Sequence, residues 1–562
     1  MASSEVSRGL KGHDPFNFAV DVVDKQANTP GTLRAMLWTD NADSHVRDLS
    51  YKYFSRRSHL SAGLLNDLGI RSGDRMIIML SRVPAWWEIA TGALRAGIIL
   101  SPCSTLATPK DIKFRALAAQ ASIFVGDQAA VKAFLGVRRE CPQVKVVIQA
   151  DGEPIPCIQQ YEELMGVLPE NKRYAGPVTF ASDPAFILFT SGTTGPPKMV
   201  VHNHSYPLSH RITGEDWLLL EPGKLYWNLA ELGWAKSAWG WFAAWITGAA
   251  LYVRKLQGTF SAREIVRTLH LYPITTFCAG STAYRQMVLR DALEEISQAP
   301  LFCLQHCVAA GEALEKAVIK SWKGATGIEI KDGYGQTETT ILCGNFKGNV
   351  VKLGSMGTAA RGIPLSVVND NGEECNPGEE GSIAVKIREN MMGITEGYLQ
   401  PDGSKRLDLL KGKPGTDGSA CPQWYLTGDR GYRDIDGYFW YLGRGDDVIN
   451  SSGYRIGPTE VESVLLAHSA VKNVAVVASP SAERGEVVKA FVVLADDAKN
   501  QDPAQLVRLL QAHCKKESAP YKYPRRVEFV DETFFPKTTS GKIQRAILRQ
   551  MEEKRYLAQA KL

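Results

Sequence analysis

Cysteine is scarce in this sequence of 562 residues, and low-complexity segments and internal repeats are absent. Ten cysteines are scattered along the chain, too sparsely for a disulfide framework, which indicates a reducing compartment. Apolar residues make up 44% and charged residues 22%, which excludes a disordered, collagenous or coiled-coil chain and is typical of a globular protein. At about 150 residues per domain, the length predicts three or four structural units.

Long apolar runs and a strong excess of one charge are also missing. The longest uncharged stretch, 237–253, contains Ser237, Thr247 and glycines and falls short of the roughly 18 apolar residues that a membrane helix needs. Lys and Arg total 65 against 60 Asp and Glu, an excess too small for a dedicated nucleic-acid binder. We therefore expect a soluble protein with no membrane span and no nucleic-acid partner.

The two ends of the chain carry information on location. Residues 1–18 contain no apolar segment and are not rich in Arg, so we expect neither a secretory nor a mitochondrial leader. The last residues, Ala560-Lys561-Leu562, resemble the small–basic–Leu peroxisomal address. We predict a peroxisomal protein that an import receptor recognises through this tripeptide. The alternatives are a cytoplasmic protein and a helix that merely ends in these residues.

Short apolar runs alternate with amphipathic segments through much of the chain. A helical face with Leu60, Leu64 and Leu68 precedes the run 76–80, and further buried-strand candidates lie at 186–189 and 381–385. Helices that alternate with short apolar strands closed by Gly or Pro predict an α/β fold.

A domain boundary is predicted near Gly443-Arg444-Gly445-Asp446. Beyond it, Thr459 and Glu462 have the spacing of a capping box, and strands at 474–478, 487–494 and 527–530 flank a helix near 506–513. That is a small α+β unit of usual domain size. We divide the chain into a large domain, 1–445, whose first 30 residues form a partly ordered arm, and a small domain, 446–562.

The strongest local signal follows the apolar run that ends at Phe189. Glycines let backbone N–H groups turn toward an anion, hydroxyls donate hydrogen bonds, and a lysine adds a charge, which suits a polyphosphate. The residues concerned are Thr190, Ser191, Gly192, Thr193, Thr194, Gly195 and Lys198. Two prolines stand where the helix of a Walker A loop should begin, and 198–201 reads as extended, so we expect a loop between two strands. The alternative is a surface hairpin.

This run resembles the phosphate-binding loop of the adenylate-forming enzymes, the group that contains acyl-CoA synthetases, luciferases and peptide-synthetase adenylation domains. Five further motifs of that family follow in order: Ala310–Leu314, Asp332–Glu338, Tyr425–Asp429, Gly443–Asp447 and Pro536–Lys542. The resemblance implies a large, multi-subdomain adenylating domain followed by a small, mobile α+β domain.

It also implies a first step in which a carboxylate attacks the α-phosphorus of ATP, so two anions must be brought together. Lys542 would bridge the carboxylate and the α-phosphate, Glu338 would bind Mg²⁺, and Thr337 would contact the α-phosphate. Tyr334 would lie against adenine, and Asp429 would accept from the ribose hydroxyls. Other ATP-binding positions are Gly311, Glu312, Asp332, Gly333, Gly335, Gln336 and Arg444. Asp446 would be the hinge between the domains.

The segment 227–240 resembles the acyl-pocket region of medium-chain acyl-CoA synthetases. Five of the 12 tryptophans lie between positions 227 and 245, and flat apolar rings suit a hydrocarbon or aryl tail. We assign Trp234 and Gly335 to the acyl pocket and Trp239, Trp241 and Trp245 to ordinary core. Glu231 stands where the family often has Asp, which makes the local geometry less regular.

The chain ends soon after Lys542, so we expect no carrier module and a diffusible thiol, coenzyme A, as the acyl acceptor. Cations suit the phosphates of coenzyme A, although exposed cations often face only solvent. The positions that the resemblance assigns to CoA are Ser452, Gly453, Tyr454, Arg455, Arg484, Lys515, Tyr523 and Arg525.

Two histidine-containing clusters are set aside. Cys303, His306 and Cys307 lack a second ligand pair at zinc spacing, and His202 and His204 are not needed, because a carboxylate is already ionised near neutral pH. We expect an ATP- and Mg²⁺-dependent acid:CoA ligase for a medium-chain or aryl acid. The alternatives are transfer to a separate carrier protein, a luciferase-like oxidase and a catalytically dead binding protein.

Overall fold

The computed structural model describes most of the chain. The described residues are 10–31, 34–190, 197–255, 260–288, 294, 296, 299–312, 314, 316–412, 421–451, 454–481, 485–518, 522–538 and 541–559. Within them, no helix is both long enough and apolar enough to cross a membrane.

The strands before residue 445 are β1 (Arg34–Thr39), β2 (Val46–Ser50), β3 (Arg75–Met79), β4 (Ile99–Pro102), β5 (Ile123–Asp127), β6 (Val146–Asp151), β7 (Gln159–Gln160), β8 (Pro184–Phe189), β9 (Met199–Asn203), β10 (Leu225–Asn228), β11 (Ala250–Arg254), β12 (Thr276–Ala279), β13 (His306–Ala310), β14 (Ile330–Gly335), β15 (Ile341–Gly344), β16 (Gly357–Ala359), β17 (Leu365–Val368), β18 (Gly381–Lys386), β19 (Gly397–Leu399), β20 (Lys405–Arg406), β21 (Leu409–Lys411), β22 (Gln423–Arg433) and β23 (Tyr438–Arg444).

The α-helices of this part are α1 (Lys25–Asn28), α2 (Tyr51–Asp67), α3 (Pro84–Arg95), α4 (Pro109–Ala118), α5 (Gln128–Leu135), α6 (Tyr161–Gly166), α7 (Tyr206–Ile212), α8 (Ala235–Ile246), α9 (Ala262–Leu271), α10 (Ser281–Met287) and α11 (Lys316–Thr326). Ala19–Asp24 and Thr213–Trp217 are π-helical, and Arg138–Glu140 is a 3-10 turn.

The remaining elements form the small unit. They are β24 (Ile449–Ser451), β25 (Tyr454–Ile456), α12 (Pro458–Leu466), β26 (Val471–Ser481), β27 (Gly485–Leu494), α13 (Pro503–Glu517), β28 (Arg526–Phe529) and α14 (Arg545–Gln559), with 3-10 turns at Asp496–Ala498 and Glu532–Phe534.

Two large sheets build the body, by which we mean the part of the chain up to Arg444. One runs in the order β20-β19-β9-β8-β4-β3-β5-β6-β7, and the other runs from β17 through β22, β23 and β14 to β10, β11, β1 and β2. Alternate residues of β3 face different cores, Ile77 on one side and Met76 and Ile78 on the other, because helices cover both faces of a parallel sheet. The α/β fold class is confirmed.

The first residues that the structure describes pack into the body. Phe18 is fully buried and lies 5.4 Å from the ring of Trp241 and 4.8 Å from that of Phe242. The side-chain amide of Asn17 donates to the carbonyl of Leu94 at 2.8 Å. The described part of the predicted arm is therefore anchored by the large apolar core.

The small unit is a sheet in the order β25-β24-β27-β26, with β28 parallel to β27. The predicted capping box of α12 is wrong. The helix begins at Pro458 after Gly457, so Thr459 lies inside the first turn and its hydroxyl donates to the carbonyl of Leu442 at 2.9 Å. Glu462 accepts instead from the backbone N–H of Val476 at 2.7 Å.

Candidate active site

The site lies where four parallel strands of the larger sheet end. Strands β10, β12, β13 and β14 are parallel neighbours, so their carboxyl ends meet at one edge. Ligands of α/β proteins bind at such edges. Gly311 follows β13 directly with a φ of +101°, a conformation that side chains rarely adopt.

Lys236 bridges the ends of two of these strands. It is the second residue of α8, and its ammonium group donates to the carbonyl of Ala310 at 2.8 Å. A Cβ atom built on Gly280 or Gly311 would lie 3.9 or 3.7 Å from that nitrogen. Sequence reasoning missed this cation. The available signal was a lone charge in an otherwise apolar helix.

A hydrogen-bond network joins three of the predicted motifs around Asp429. Its carboxylate accepts from the hydroxyl of Tyr334, from Nε2 of Gln336 at 2.8 Å and from Nη1 of Arg444 at 3.2 Å. Gln336 also donates to the carbonyl of Thr427 at 2.7 Å. Four side chains assigned to ATP, from three motifs, are thus joined through Asp429.

Strand register explains the pairing of Asp429 with Arg444, since these residues lie opposite each other on β22 and β23. Burial raises the pKa of Asp429, and the charge of Arg444 opposes that shift. Burial, the largest single influence, lowers the pKa of Arg444, but the combined effect of Asp429 and the neighbouring groups Tyr441, Asp446 and Tyr334 raises it overall. Among the described residues, the buried Nε of Arg444 has no hydrogen-bond partner, so the guanidinium keeps a donor for a ligand.

The glycines of the Asp332–Glu338 motif allow close packing of two tryptophans. A Cβ on Gly333 would lie 2.5 Å from the ring of Trp217, and a Cβ on Gly335 would lie 2.4 Å from the ring of Trp239. Asp332 uses its carboxylate locally, accepting from the N–H of Gly333 at 2.9 Å.

Trp239, which we assigned to the core, is therefore the tryptophan that touches Gly335. It is buried, and its indole N–H donates to the hydroxyl of Tyr206 at 2.8 Å. Trp234 is half-buried and stands immediately before the first turn of α8. Trp245 packs in the core against Phe18, as expected.

Tyr398, a residue that the sequence analysis missed, contacts both Glu338 and Lys198. Its hydroxyl donates to Oε1 of Glu338 at 2.8 Å, and the ammonium of Lys198 lies 4.8 Å from the centre of its ring. Tyr398 lies on β19, which pairs with β9, where Lys198 immediately precedes the strand. An isolated tyrosine outside the motifs gave no signal in the sequence.

The carbonyl of Thr337 is held by His202, whose Nε2 lies 2.7 Å away. Burial lowers the pKa of His202 to about 4, so the ring is neutral near pH 7 and donates from Nε2. The ring stacks on Tyr206 with centroids 3.8 Å apart. His202 thus supports the motif backbone.

Lys542 lies in the small unit, shortly before α14. Burial lowers the pKa of its ammonium group, and the charges of Glu312, Lys236, Asp429 and Arg444 all act on it. Lys542 as a whole residue is nevertheless exposed to solvent. Of these four groups, Glu312 is held by Thr282, whose hydroxyl lies 3.3 Å from Oε2.

The expectation of a strand on each side of the phosphate-binding loop is confirmed. Strands β8 and β9 are antiparallel, and the N–H of Thr190 donates to the carbonyl of Lys198 at 3.0 Å, which closes the loop at its base. Ser191, Gly192, Thr193, Thr194 and Gly195 lie outside the described residues.

Three of the predicted CoA-binding residues cluster on the small unit. Tyr523 lies between two cations, with Nζ of Lys515 at 4.2 Å and Cζ of Arg525 at 4.9 Å from its ring centre. Tyr454 and Arg455 belong to β25. Ser452, Gly453 and Arg484 lie outside the described residues.

The histidine and cysteine clusters set aside above form no metal site in the part of the chain that the structure describes, where no group of three or more His, Cys, Asp or Glu could hold an ion. His306 and Cys307 are on β13, while Cys303 precedes it and is exposed.

Two protein-family models match this chain. Residues 23–399 match the family model described as AMP-binding enzyme, and residues 460–542 match the model described as AMP-binding enzyme C-terminal domain.

Two similar curated proteins are acyl-coenzyme A synthetases. The Rattus norvegicus protein named acyl-coenzyme A synthetase ACSM3, mitochondrial, is 40% identical over 553 residues, which cover 96% of this chain and 90% of the relative. The Homo sapiens protein named acyl-coenzyme A synthetase ACSM5, mitochondrial, is 39% identical over 545 residues, with the same coverage.

Similar solved structures include the anthranilate CoA ligase AuaEII in complex with anthranoyl-AMP, with a TM-score of 0.83, 27% identity and coverage of 99% of this chain and 100% of that one. A benzoate CoA ligase from Burkholderia xenovorans LB400 has a TM-score of 0.76 and 26% identity, and the match covers 95% of this chain and 100% of that one.

These relatives overturn the predicted location. The curated synthetases carry the word mitochondrial in their names, so the peroxisomal prediction is wrong, and the import receptor is unsupported as a partner. A three-residue match at a chain end is short enough to arise by chance, and Ala560, Lys561 and Leu562 lie outside the described residues.

The family resemblance and the enzyme class are confirmed. Three of the motifs meet at Asp429, and both family models match in chain order. The chain therefore belongs to the AMP-binding enzyme family, as an acyl-coenzyme A synthetase that forms AMP.

Proposed function

We propose that this enzyme uses ATP and Mg²⁺ to convert a medium-chain or aryl carboxylic acid to its acyl-adenylate, and then transfers the acyl group to coenzyme A. One observation carries the proposal. The ammonium of Lys542, on the small unit, lies within range of the charges of Glu312, Asp429 and Arg444 on the body. A cation at that place can bring two anionic substrates together.

In this proposal, two lysines neutralise the negative charge of the carboxylate and the phosphates. Lys542 contacts the carboxylate and the α-phosphate, while Lys236, fixed on the carbonyl of Ala310, supplies a second positive charge at the strand ends. Because the attack joins a carboxylate to a phosphate, cations that are already in place lower the barrier without rearranging.

The ribose and base of ATP are assigned to the Asp429 network. Asp429 is nearly fully buried and already accepts three side-chain donors, so its orientation is fixed before ATP binds. Its carboxylate accepts from ribose hydroxyls, the unpartnered Nε of Arg444 donates to the nucleotide, and Tyr334 lies against adenine. Thr337 contacts the α-phosphate.

The donor set around Glu338 fits a hard cation such as Mg²⁺. Glu338 is half-buried, and its one described side-chain contact uses only Oε1, which leaves Oε2 for an ion. Mg²⁺ takes one or two carboxylates together with phosphate oxygens. When bound, the ion neutralises charge on the phosphates of ATP. Tyr398 orients the Glu338 carboxylate.

The acid is assigned to the space beside Gly335, with Trp239 on one side and Trp234 at the start of the same helix. The absent Cβ of Gly335 lets the ring of Trp239 approach, so that an apolar tail meets a flat wall. Two similar structures are ligases named for aryl acids, anthranilate and benzoate, which supports an aryl or comparably sized acid here.

Coenzyme A is assigned to the small unit, where Lys515 and Arg525 flank Tyr523 and can neutralise its phosphates. Tyr454, Arg455, Ser452, Gly453 and Arg484 complete this assignment from the sequence. We place the domain boundary at 445/446 and the hinge at Asp446, between the end of β23 and the start of β24.

The test is acid-dependent pyrophosphate release with octanoate, hexanoate and benzoate, each with and without CoA. The expected result is pyrophosphate with at least one acid and an acyl-CoA product only when CoA is present. Pyrophosphate without any acyl-CoA would overturn the ligase and favour transfer to a carrier protein. No acid-dependent pyrophosphate with any acid would favour a catalytically dead protein.

A further inference from the structure

The segment that carries Lys542 is tied to the last helix of the chain. The backbone N–H of Lys542 donates to the hydroxyl of Thr538 at 3.2 Å, and its carbonyl accepts from the N–H of Thr538 at 2.9 Å. The N–H of Gln544 donates to the carbonyl of Pro536 at 2.8 Å, directly before α14 begins at Arg545. Because this hairpin joins the helix without a linker, the position of α14 sets the position of Lys542.

The first turns of α14 carry two arginines, Arg545 and Arg549, which lie on one face because they are four residues apart. Arg545 binds Glu462 of α12 with two bonds, Nη2 to Oε2 at 2.6 Å and Nε to Oε1 at 3.1 Å. Glu462 belongs to the small unit, so this bidentate pair holds α14 onto its own unit and moves with it.

Arg549 instead contacts the junction between the body and the small unit. Its Nη1 donates to the carboxylate of Asp447 and, at 2.5 Å, to the backbone carbonyl of Asp446. The side chains of Arg549 and Asp447 are only 18% and 11% exposed, so the contact is largely shielded from water. On the body side, Asp446 lies beside Arg444, with Oδ1 at 3.7 Å from Nε.

The hydrogen bond from Arg549 to the carbonyl of Asp446 depends on the backbone conformation at the predicted hinge. Its direction is set by the backbone angles of Asp446, and rotation about those angles would carry the oxygen away from Arg549. In the same structure, the backbone of Lys542 is held by Thr538, and its ammonium group is within range of the charges of Glu312 and Asp429.

We propose that Arg549 is a positioning residue for the adenylate-forming step, which fixes the Asp446–Asp447 peptide in the conformation that places Lys542 in the cleft. The inference rests on the proposed function, in which Lys542 serves that step. Arg549 touches no substrate. It acts by favouring one of the domain arrangements, so its loss weakens the first half-reaction and spares the second.

The experiment compares Arg549→Ala with Arg555→Ala in the full-length enzyme. Arg555 is on the same helix and also pairs with carboxylates, those of Glu528 at 2.8 Å and Glu552 at 3.1 Å, but away from the junction. Two rates are measured with benzoate or hexanoate, whichever acid is the better substrate. They are pyrophosphate formation, and thioester formation from the matching synthetic acyl-adenylate and CoA, with the melting temperature of each variant alongside.

Loss of a charge-assisted hydrogen bond should lower pyrophosphate formation roughly 10-fold or more in Arg549→Ala, with thioester formation changed by less than about twofold. Arg555→Ala should leave both rates within about twofold of the parent. Arg549→Lys, which keeps a charge opposite Asp447 without the fork of donors, should give an intermediate rate of pyrophosphate formation. If Arg549→Ala fails to fold, Arg549→Lys is the variant on which the two rates are compared.

Equal losses in both half-reactions, or no loss in either, would overturn the inference, because a merely structural contact does not distinguish the two steps. Lys542→Ala separates this failure from that of the proposed function. If Lys542→Ala abolishes pyrophosphate formation and Arg549→Ala does not lower it, only the role of Arg549 is wrong. If Lys542→Ala retains full pyrophosphate formation, the proposed function itself fails.

Discussion

The two regions that face each other across the cleft hold their functional side chains in different ways. On the body, Asp429 accepts from three side chains, those of Tyr334 and Gln336 at the end of β14 and that of Arg444 on β23, so the packed sheet fixes its position. On the small unit, Lys542 sits in a tight hairpin beside Gly541, which has a φ of +82°, and its place depends on where α14 lies. The body therefore holds Asp429 in place through its own packing, whereas the position of Lys542 depends on the packing of the small unit.

The largest expected effect separates these regions directly. Lys542→Ala should lower acid-dependent pyrophosphate formation by roughly 10²–10³-fold, because one preorganised charge at the reacting atoms is lost. Thioester formation from a supplied acyl-adenylate should keep most of its rate, since the first step is bypassed. Stopped-flow or quenched-flow assays measure the rate of each half-reaction separately. A loss of equal size in both would contradict the difference between the regions.

On the body, the corresponding change is Asp429→Asn. It removes the charge that pairs with Arg444 and presents an amide N–H₂ to donors of Tyr334 and Gln336, so we expect the KM for ATP to rise roughly 10- to 100-fold. Steady-state pyrophosphate assays at varied ATP measure it. Asp434→Asn is the matched control on the same hairpin. The carboxylate of Asp434 accepts from Nζ of Lys352 at 2.7 Å, and this pair is not part of the Asp429 network. An equal rise in both variants would argue against a nucleotide contact.

A smaller effect should distinguish pocket from core within α8. Trp239→Phe removes ring area beside Gly335 and the hydrogen bond to Tyr206, so the ratio of kcat/KM between octanoate and benzoate should shift by up to roughly 10-fold. Trp245→Phe, which alters the packing against Phe18, should lower the melting temperature without changing that ratio. A shift of the ratio in both variants would place the pocket elsewhere.

The smallest expected effect concerns pH. Burial lowers the pKa of Lys542, so its ammonium form is lost as pH rises through a value below the usual lysine value of about 10.4. Pyrophosphate formation should therefore fall on the alkaline side at that lowered pKa, to roughly half at the midpoint. The pH–rate profile of Lys542→Arg, measured on its residual activity, should lack this limb. An unchanged limb would assign it to another group.

Much of the site could be predicted from local sequence, because its residues lie in short motifs whose chemistry suits a nucleotide. The loop between β8 and β9 and the chain order of the motifs followed from glycines, hydroxyls and apolar runs. The bond that joins Gln336 to Asp429, more than 90 residues apart, could not be predicted, because it arises from the way distant strands pack in the larger sheet. Tyr398 was missed for the same reason, since β19 brings it to Glu338 from a region without a motif.

Errors followed from reading single segments without their surroundings. Thr459 and Glu462 have the spacing of a capping box, but the helix begins one residue earlier, at Pro458. Both side chains form hydrogen bonds elsewhere, Thr459 with the carbonyl of Leu442 and Glu462 with the backbone N–H of Val476. Trp239, by contrast, is buried in the large apolar core as the sequence analysis expected, and the edge of its ring also touches Gly335.

By itself, the sequence determined the α/β class, the enzyme family and the order of its functional segments, because glycine, hydroxyl and charge patterns are local properties of the chain. It also bounded the chemistry, through the lysine near the end and the carboxylates of the central motifs. Only the tertiary structure decided which side chains meet. The parallel strand ends bring Lys236 to Gly311, register pairs Asp429 with Arg444, and Arg549 reaches the junction at Asp446, since each contact depends on how distant segments pack.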